Sequence, residues 1–336
     1  MSTVLPNSPA HLDALVADAV AASGWRFVVT GAGGWLGMAT LELLEGALSD
    51  GFSSRVRCFG ARARSLELAS GRRVRQHALT DLTTLNAAPT MLLHLAFLGK
   101  ERADAMTEAD YRAGNRVITA AVLGAAERID VRALFLSSSG AAAHADDDTA
   151  SPALRLYGGM KREDEVTFGV WAERAGVPTA IARIYSLSGR YMNKRGSYAL
   201  AQFIEQALAG GSLSVNATRP VIRSYVAIDE LMSLAFAILC ARTPGPLAFD
   251  SGGAPIEVGE LADAVARTLG GGPVARAPMS DAPADSYAGD GERYAALLEE
   301  HGIRSVSLRE QILQTAAYMA AHDGQASAPM ASHRAA

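Results

Sequence analysis

The stretch Thr30-Gly31-Ala32-Gly33-Gly34-Trp35-Leu36-Gly37 follows the apolar run Arg26-Phe27-Val28-Val29 and leads into a helical pattern over residues 36–47. Strand, glycine turn and helix, in that order, decide the fold class. Gly31 permits a tight turn out of the strand, Gly34 lets backbone approach a pyrophosphate, and Gly37 brings helix against strand. A helix starting here offers unpaired N–H groups and partial positive charge to phosphates. With 32 glycines in 336 residues the triplet alone says little. Its place between a β run and a helix is what indicates a dinucleotide. The residues expected to contact it are Thr30, Gly31, Gly34, Trp35, Leu36 and Gly37.

Outward from this loop, strand-like apolar runs recur at residues 56–59, 92–96, 133–136 and 178–184, with helical periodicity at 109–128 and 157–175. Such alternation gives βαβ units and a parallel sheet. The expected class is α/β: a Rossmann-type doubly wound parallel sheet with a smaller C-terminal substrate lobe. Residues 11–22 add a helix that stops at Ser23-Gly24. Beyond about residue 187, Gly, Ser, Asn and Pro become frequent, and helical patterns lie at 200–209, 256–269 and 308–320. Residues 1–186, rejoined by 221–250, are assigned to a dinucleotide-binding domain, and 187–220 with 251–321 to a substrate-binding lobe. Residues 322–336 lack a core-forming pattern and are expected to be a disordered tail.

Composition excludes several classes. The chain is 49% hydrophobic and 20% charged with a formal charge of −4. That is the balance of a soluble globular protein, with no electrostatic footprint for nucleic acid or membrane. No apolar stretch reaches membrane-span length, and residues 1–23 lack a secretory signal's basic start and apolar block. Cys58 and Cys240 lie far apart, which suggests two reduced thiols in the cytoplasm and no metal site.

The second strand ends in Phe59-Gly60-Ala61-Arg62-Ala63-Arg64. An acid there binds the 2′-hydroxyl of NAD, whereas arginine accommodates the extra phosphate of NADP. Arg62 and Arg64 favour NADP, with NAD the alternative. Lys100, Lys161 and Lys194 are the only lysines, and one completes Tyr157-Gly158-Gly159-Met160-Lys161. That spacing puts phenol and ammonium on one helical face. The ammonium is expected to lower the phenol's pKa, so that Tyr157 exchanges protons with a substrate alcohol near neutral pH. Upstream, Ser137-Ser138-Ser139 ends a core strand at the edge where open α/β sheets bind ligands.

Further motifs run in a fixed order: Asp81-Leu82, His94-Leu95-Ala96, Asn115, Arg183-Ile184-Tyr185-Ser186-Leu187-Ser188-Gly189 and Arg223-Ser224-Tyr225-Val226-Ala227-Ile228-Asp229. With them, residues 25–320 resemble an extended short-chain dehydrogenase/reductase of the sugar-nucleotide epimerase/dehydratase group. The resemblance implies that Tyr157 is the general acid/base and that Ser139 hydrogen-bonds the substrate's reacting oxygen. Lys161 would bind the nicotinamide ribose and tune Tyr157. Asp81, Leu82, Leu95, Ala96, Ser137 and Tyr185 join the implied cofactor contacts. Arg223 would pair with a phosphate of a nucleotide-linked sugar, or serve to tie the lobes together. Relatives dimerise through helices that correspond to 109–128 and 157–175. Val117, Val122 and Phe168 could supply that contact, although packing within one subunit explains the same residues.

Departures from the pattern narrow the chemistry. The family's 4,6-dehydratases carry an Asp-Glu pair after the catalytic hydroxyl residue. Gly140 and Ala141 stand there, so dehydration is not expected. His144 and Asp146-Asp147-Asp148 read as surface loop, and Ser186 replaces the family's asparagine. Three functions remain. One is an NAD(P)-dependent 4-ketoreductase or 4-epimerase of a nucleotide-linked sugar. Another is an NADPH-dependent reductase of non-sugar ketones or aldehydes, left open by the apolar Met192 and Ala199-Leu200. The last is a non-catalytic dinucleotide-sensing scaffold, against which the intact Ser139, Tyr157 and Lys161 argue.

Overall fold

A computed structural model of the chain describes residues 9–322. Asp13 caps α1 (Ala14–Ala22), its carboxylate accepting the Leu15 N–H. Then follow β1 (Arg26–Thr30), α2 (Trp35–Leu48), the short α3 (Phe52–Arg55) and β2 (Val56–Gly60). A hairpin of β3 (Arg64–Glu67) and β4 (Arg73–Ala78) precedes β5 (Thr90–His94). The chain continues through α4 (Lys100–Ala105), α5 (Glu108–Ala126), β6 (Val131–Ser139), α6 (Pro152–Ala175) and β7 (Thr179–Ile184). Next come β8 (Ser186–Ser188), α7 (Ala199–Leu208), β9 (Leu213–Val215), β10 (Val221–Ala227), α8 (Ile228–Ala241) and β11 (Pro246–Asp250). Last are β12 (Pro255–Glu257), α9 (Val258–Leu269), β13 (Val274–Arg276), β14 (Asp285–Tyr287), α10 (Gly291–Glu300) and α11 (Leu308–His322).

The main sheet runs β11-β7-β6-β5-β1-β2-β4-β3. Its pairings are parallel except at the β3–β4 hairpin. Strand order reverses at β1, so the carboxyl ends of β1 and β5 frame the crevice where such sheets bind ligands. The central strands β1, β5 and β6 are largely apolar because helices cover both faces, whereas the edge hairpin β3–β4 is polar. Val28, Leu92, Leu134 and Leu136 pack with Val122 of α5 and Phe168 of α6. Phe27, Val29, Met91 and Phe135 pack with Leu41 and Leu44 of α2 and Phe236 of α8.

A smaller sheet orders β12-β10-β14, with β8 also paired to β10. Beside it, α7, α9 and α11 enclose a second core that includes Phe203, Ile204, Leu261, Val265 and Ile312. Met192 and Leu200 are buried in that core, so they do not offer apolar substrate contacts.

On the α5–α6 face, packing within one subunit accounts for Val122 and Phe168 but not for Val117. Val122 and Phe168 are fully buried under the helices, whereas Val117, Val166 and Val170 are 68%, 61% and 42% exposed. Val117 and Val122 are five residues apart, or about 140° around a helix, so they cannot share a face. Of the expected tail, His322 ends α11 and residues 323–336 lie outside the described residues. Cys58 is buried and Cys240 half-buried, both as free thiols. No described helix is long and apolar enough to cross a membrane.

Candidate active site

The glycine loop turns sharply off the end of β1. Gly31 takes φ +69°, and a Cβ there would lie 2.6 Å from the Leu95 carbonyl carbon at the end of β5. A Cβ on Gly37 would lie 2.4 Å from the Gly31 carbonyl oxygen, so helix and turn are in direct backbone contact. Gly34 starts α2 without a side-chain cap, which leaves the first-turn N–H groups of Trp35, Leu36 and Gly37 free of a capping side chain. The Thr30 hydroxyl joins the two strand ends by accepting the Leu95 and Ala96 N–H groups at 3.2 and 3.3 Å. Thr30 also bonds His94 Nδ1 at 2.9 Å. Burial and the charge of Lys161 push His94 down to about 3, so its ring is neutral.

The end of β2 explains the missing acid. A Cβ on Gly60 would lie 2.5 Å from the Gln76 side chain of β4, which occupies that space. Gln76 is buried; its amide donates to the Arg62 carbonyl at 2.7 Å, and its Oε1 has no hydrogen-bond partner among the described residues. Arg64 reaches back to the loop and donates from Nη2 to the Gly33 carbonyl at 3.0 Å. Asp81 instead turns onto its own segment, accepting the Ala78 N–H at 3.2 Å, while Leu82 is buried. Trp35 points away, its indole donating to the Arg190 carbonyl at 2.7 Å and its ring meeting Tyr198 edge-on at 5.4 Å.

Opposite the loop, β6 presents its three serines to α6. Lys161 is buried and donates to the Ser137 carbonyl at 2.7 Å, with Nζ 3.8 Å from the Phe97 ring centroid. Burial pushes it down to about 8, against the opposing carboxylates of Asp164 and Glu165. Ser138 donates to Glu165, which also accepts Arg183 Nη2 at 2.7 Å, so β6, α6 and β7 are tied together. Asn115, also buried, accepts the Leu98 N–H at 2.9 Å. Ser139 accepts the Ala141 N–H at 3.2 Å and shares a hydrogen bond of 3.2 Å with the Tyr287 hydroxyl. The Tyr157 ring meets Phe97 edge-on at 5.8 Å. Burial raises the Tyr157 phenol above its ordinary value, opposed by the Ser139 hydroxyl. The depression expected from Lys161 is therefore absent here, because that ammonium is directed at Ser137 and Phe97.

Three residues absent from the sequence reading, Tyr287, Asp250 and Asp285, complete the site. Tyr287 sits on Ser139, and its ring lies 4.7 Å from that of Tyr185. The Tyr185 hydroxyl donates to Asp250 at 3.3 Å. Asp285, two residues before Tyr287, engages Arg223: Nη2 donates to its carboxylate at 3.2 Å, and Nη1 donates to its carbonyl and that of Ile222 at 2.8 Å each. Nothing in the residue pattern marks β14, which is three residues long and whose partner strand lies about sixty residues upstream. Asp146 and Asp148 form surface pairs with Arg162 and Arg155. The His144 ring lies 6.4 Å from that of Tyr287.

Known proteins share this architecture. UDP-N-acetylglucosamine 4-epimerase from Methanobrevibacter ruminantium, solved with UDP-N-acetylmuramic acid, is 15% identical at a TM-score of 0.66, over 89% of this chain and 99% of that one. A dTDP-glucose 4,6-dehydratase from Streptomyces venezuelae, solved with NAD, is 20% identical at 0.67, over 89% and 98%. UDP-glucose 4-epimerase from Thermus thermophilus, also with NAD, is 21% identical at 0.62, over 88% and 99%. At these identities the likeness establishes the fold alone. No curated protein matches the sequence significantly. The profile of the NAD-dependent epimerase/dehydratase family matches residues 27–247, more than half of the sequence, so the chain belongs to that family of extended short-chain dehydrogenase/reductase enzymes.

Proposed function

We propose that the chain is an NADP-dependent reductase that converts a ketone or aldehyde carbon to an alcohol, with Tyr157 as the proton donor. The observation that carries this reading is the Tyr157 phenol set beside the Ser139 hydroxyl and against Phe97, with Arg64 rather than an acid reaching the glycine loop. The residues present fit a dinucleotide. The close-packed Gly31–Gly37 turn and the uncapped start of α2 suit a pyrophosphate. The unpartnered Gln76 Oε1 suits a ribose hydroxyl. Arg64, next to Gly33, and Arg62 supply cations where a 2′-phosphate is accommodated. Lys161 would hold the nicotinamide ribose, with Ser137, Tyr185, Leu95, Ala96, Asp81 and Leu82 the further proposed contacts.

When bound, the nicotinamide supplies the hydride. Ser139 then orients the carbonyl and donates to its oxygen as negative charge develops. Tyr157 passes its proton to that oxygen. A second reading, a 4-ketoreductase or 4-epimerase of a nucleotide-linked sugar, is favoured by the names of the structural relatives. We also propose a cytoplasmic homodimer, paired through the outward valines of α5 and α6. The test is Tyr157→Phe, which should cut carbonyl-dependent NADPH oxidation by about 10²–10⁴-fold with NADPH binding retained. Undiminished turnover removes Tyr157 from the mechanism, and tightly held NAD that survives dialysis selects the epimerase instead.

A further inference from the structure

Resting on the reductase reading above, we propose that the substrate is an uncharged carbonyl compound without a diphosphate, because β14 closes the subsite where Arg223 would meet one. β14 runs parallel to β10 with Val221 opposite Asp285 and Arg223 opposite Tyr287. Asp285 and Tyr287 are two apart on a strand, so both project from the same face. One three-residue strand thus brings a carboxylate to Arg223 and a phenol to Ser139.

The Arg223 guanidinium is engaged along its fork. Nη1 serves the carbonyls of Ile222 and Asp285 at 2.8 Å, and the Asp285 carboxylate accepts from Nη1 at 3.4 Å and Nη2 at 3.2 Å. Arg219 lies 3.5 Å from the same carboxylate, so two cations share one anion that belongs to the protein. Elsewhere in this half of the molecule Arg276 pairs with Glu257, Lys194 with Glu101 and Arg195 with Glu205. A diphosphate brought to Arg223 would meet Asp285 on the donors it needs, and like charges so placed disfavour binding.

The rest of the pocket agrees. Phe97, Tyr185 and Tyr287 present aromatic surface around Tyr157 and Ser139. The Tyr185 hydroxyl donates to Asp250, a second carboxylate beside this aromatic surface. An uncharged carbonyl calls for no cation at this site, and its oxygen would take the place of the Tyr287 hydroxyl on Ser139.

The test titrates the full-length protein with UDP and dTDP by calorimetry, using thermal melting to confirm folding. Wild type should bind neither at millimolar concentration. Asp285→Asn, which keeps the shape of β14 and removes the negative charge facing Arg223, should bind UDP about tenfold or more tightly, and adding Arg223→Ala should remove that gain. Micromolar binding to wild type, or no gain in Asp285→Asn, overturns the proposal. In parallel, NADPH oxidation is followed with benzaldehyde, acetophenone and cyclohexanone, and with a dTDP-linked 4-ketosugar. Turnover of the uncharged compounds supports the proposal, whereas turnover of the nucleotide sugar overturns it. The nucleotide titration needs no catalysis, so its outcome is separate from failure of the reductase reading, which Tyr157→Phe reports.

Discussion

Lys161 gives the most quantitative handle on this site. Its ammonium is buried and sits at about 8, against an ordinary value of 10.5. Below pH 8 both the folded and the unfolded chain carry the proton, and the folded state bears the cost of a desolvated charge. Between pH 8 and 10.5 the folded chain has released a proton that the unfolded chain retains. The unfolded state then binds more protons, so stability rises with pH across that window. The slope approaches 1.4 kcal/mol per pH unit, which amounts to about 2–3 kcal/mol between pH 8 and 10. Other groups titrate in this range, among them the unfolded chain's tyrosines. The measurement is therefore the difference in unfolding free energy between wild type and Lys161→Met, taken by urea titration at half-unit steps from pH 7 to 10. A methionine side chain cannot titrate and the remaining groups are shared, so the difference isolates Lys161. Loss of the Ser137 hydrogen bond and the Phe97 contact shifts the whole curve but leaves its slope alone. A flat difference from pH 7 to 10 would refute the argument, showing that Ser137 and Phe97 hold the ammonium near its ordinary pKa.

Other expectations follow from single contacts. Gly37→Ala places a Cβ 2.4 Å from the Gly31 carbonyl oxygen and should destabilise the fold by about 1–3 kcal/mol or more, seen as a lower melting temperature. An unchanged melt would show that α2 can back away from the turn. Arg64→Ala should weaken NADP binding about tenfold or more and leave NAD binding unaltered in fluorescence titrations; equal losses for both would assign Arg64 to the loop rather than to a 2′-phosphate. Val166→Glu with Val170→Glu adds charge to the exposed α6 face and should give a monomer by sedimentation. A dimer that persists would move the interface elsewhere.

The parts of this molecule that were legible in the sequence are those decided by neighbours in the chain. The glycine turn could be read because the tight exit from β1 and the start of α2 are local events. The Tyr157–Lys161 pair could be placed because helical spacing alone puts both on one face. The absence of an acid after β2 was visible, but its cause was not. Gln76 reaches the Gly60 site from β4, in a hairpin whose arginine-rich strands carry little apolar signal. Asp285 and Tyr287 were hidden for the same reason. A three-residue strand has no period to detect, and its meaning comes from Arg223 and Ser139, which are distant in sequence. Val122 and Val117 show the opposite case, where the helix was evident and only the direction of the core was missing.

The proposed reductive direction rests on a balance the sequence misjudged. A lysine four residues from a tyrosine suggested a phenol with a lowered pKa, but burial wins and Tyr157 keeps its proton. A protonated phenol is ready to donate to a carbonyl oxygen, whereas oxidation of an alcohol needs the phenolate, whose population falls tenfold for each unit below the pKa. Between pH 5.5 and 7, where Lys161 remains charged, the rate of carbonyl reduction should be nearly flat. Over the same interval the rate of alcohol oxidation should rise about tenfold per pH unit. Steady-state rates at saturating cofactor in both directions measure this directly. A flat oxidation profile would mean that ligand binding overrides burial and returns Tyr157 to the low value its lysine suggests. The pocket would then serve oxidation and reduction alike, and the case for a reductase over an epimerase would rest on Arg62 and Arg64 alone.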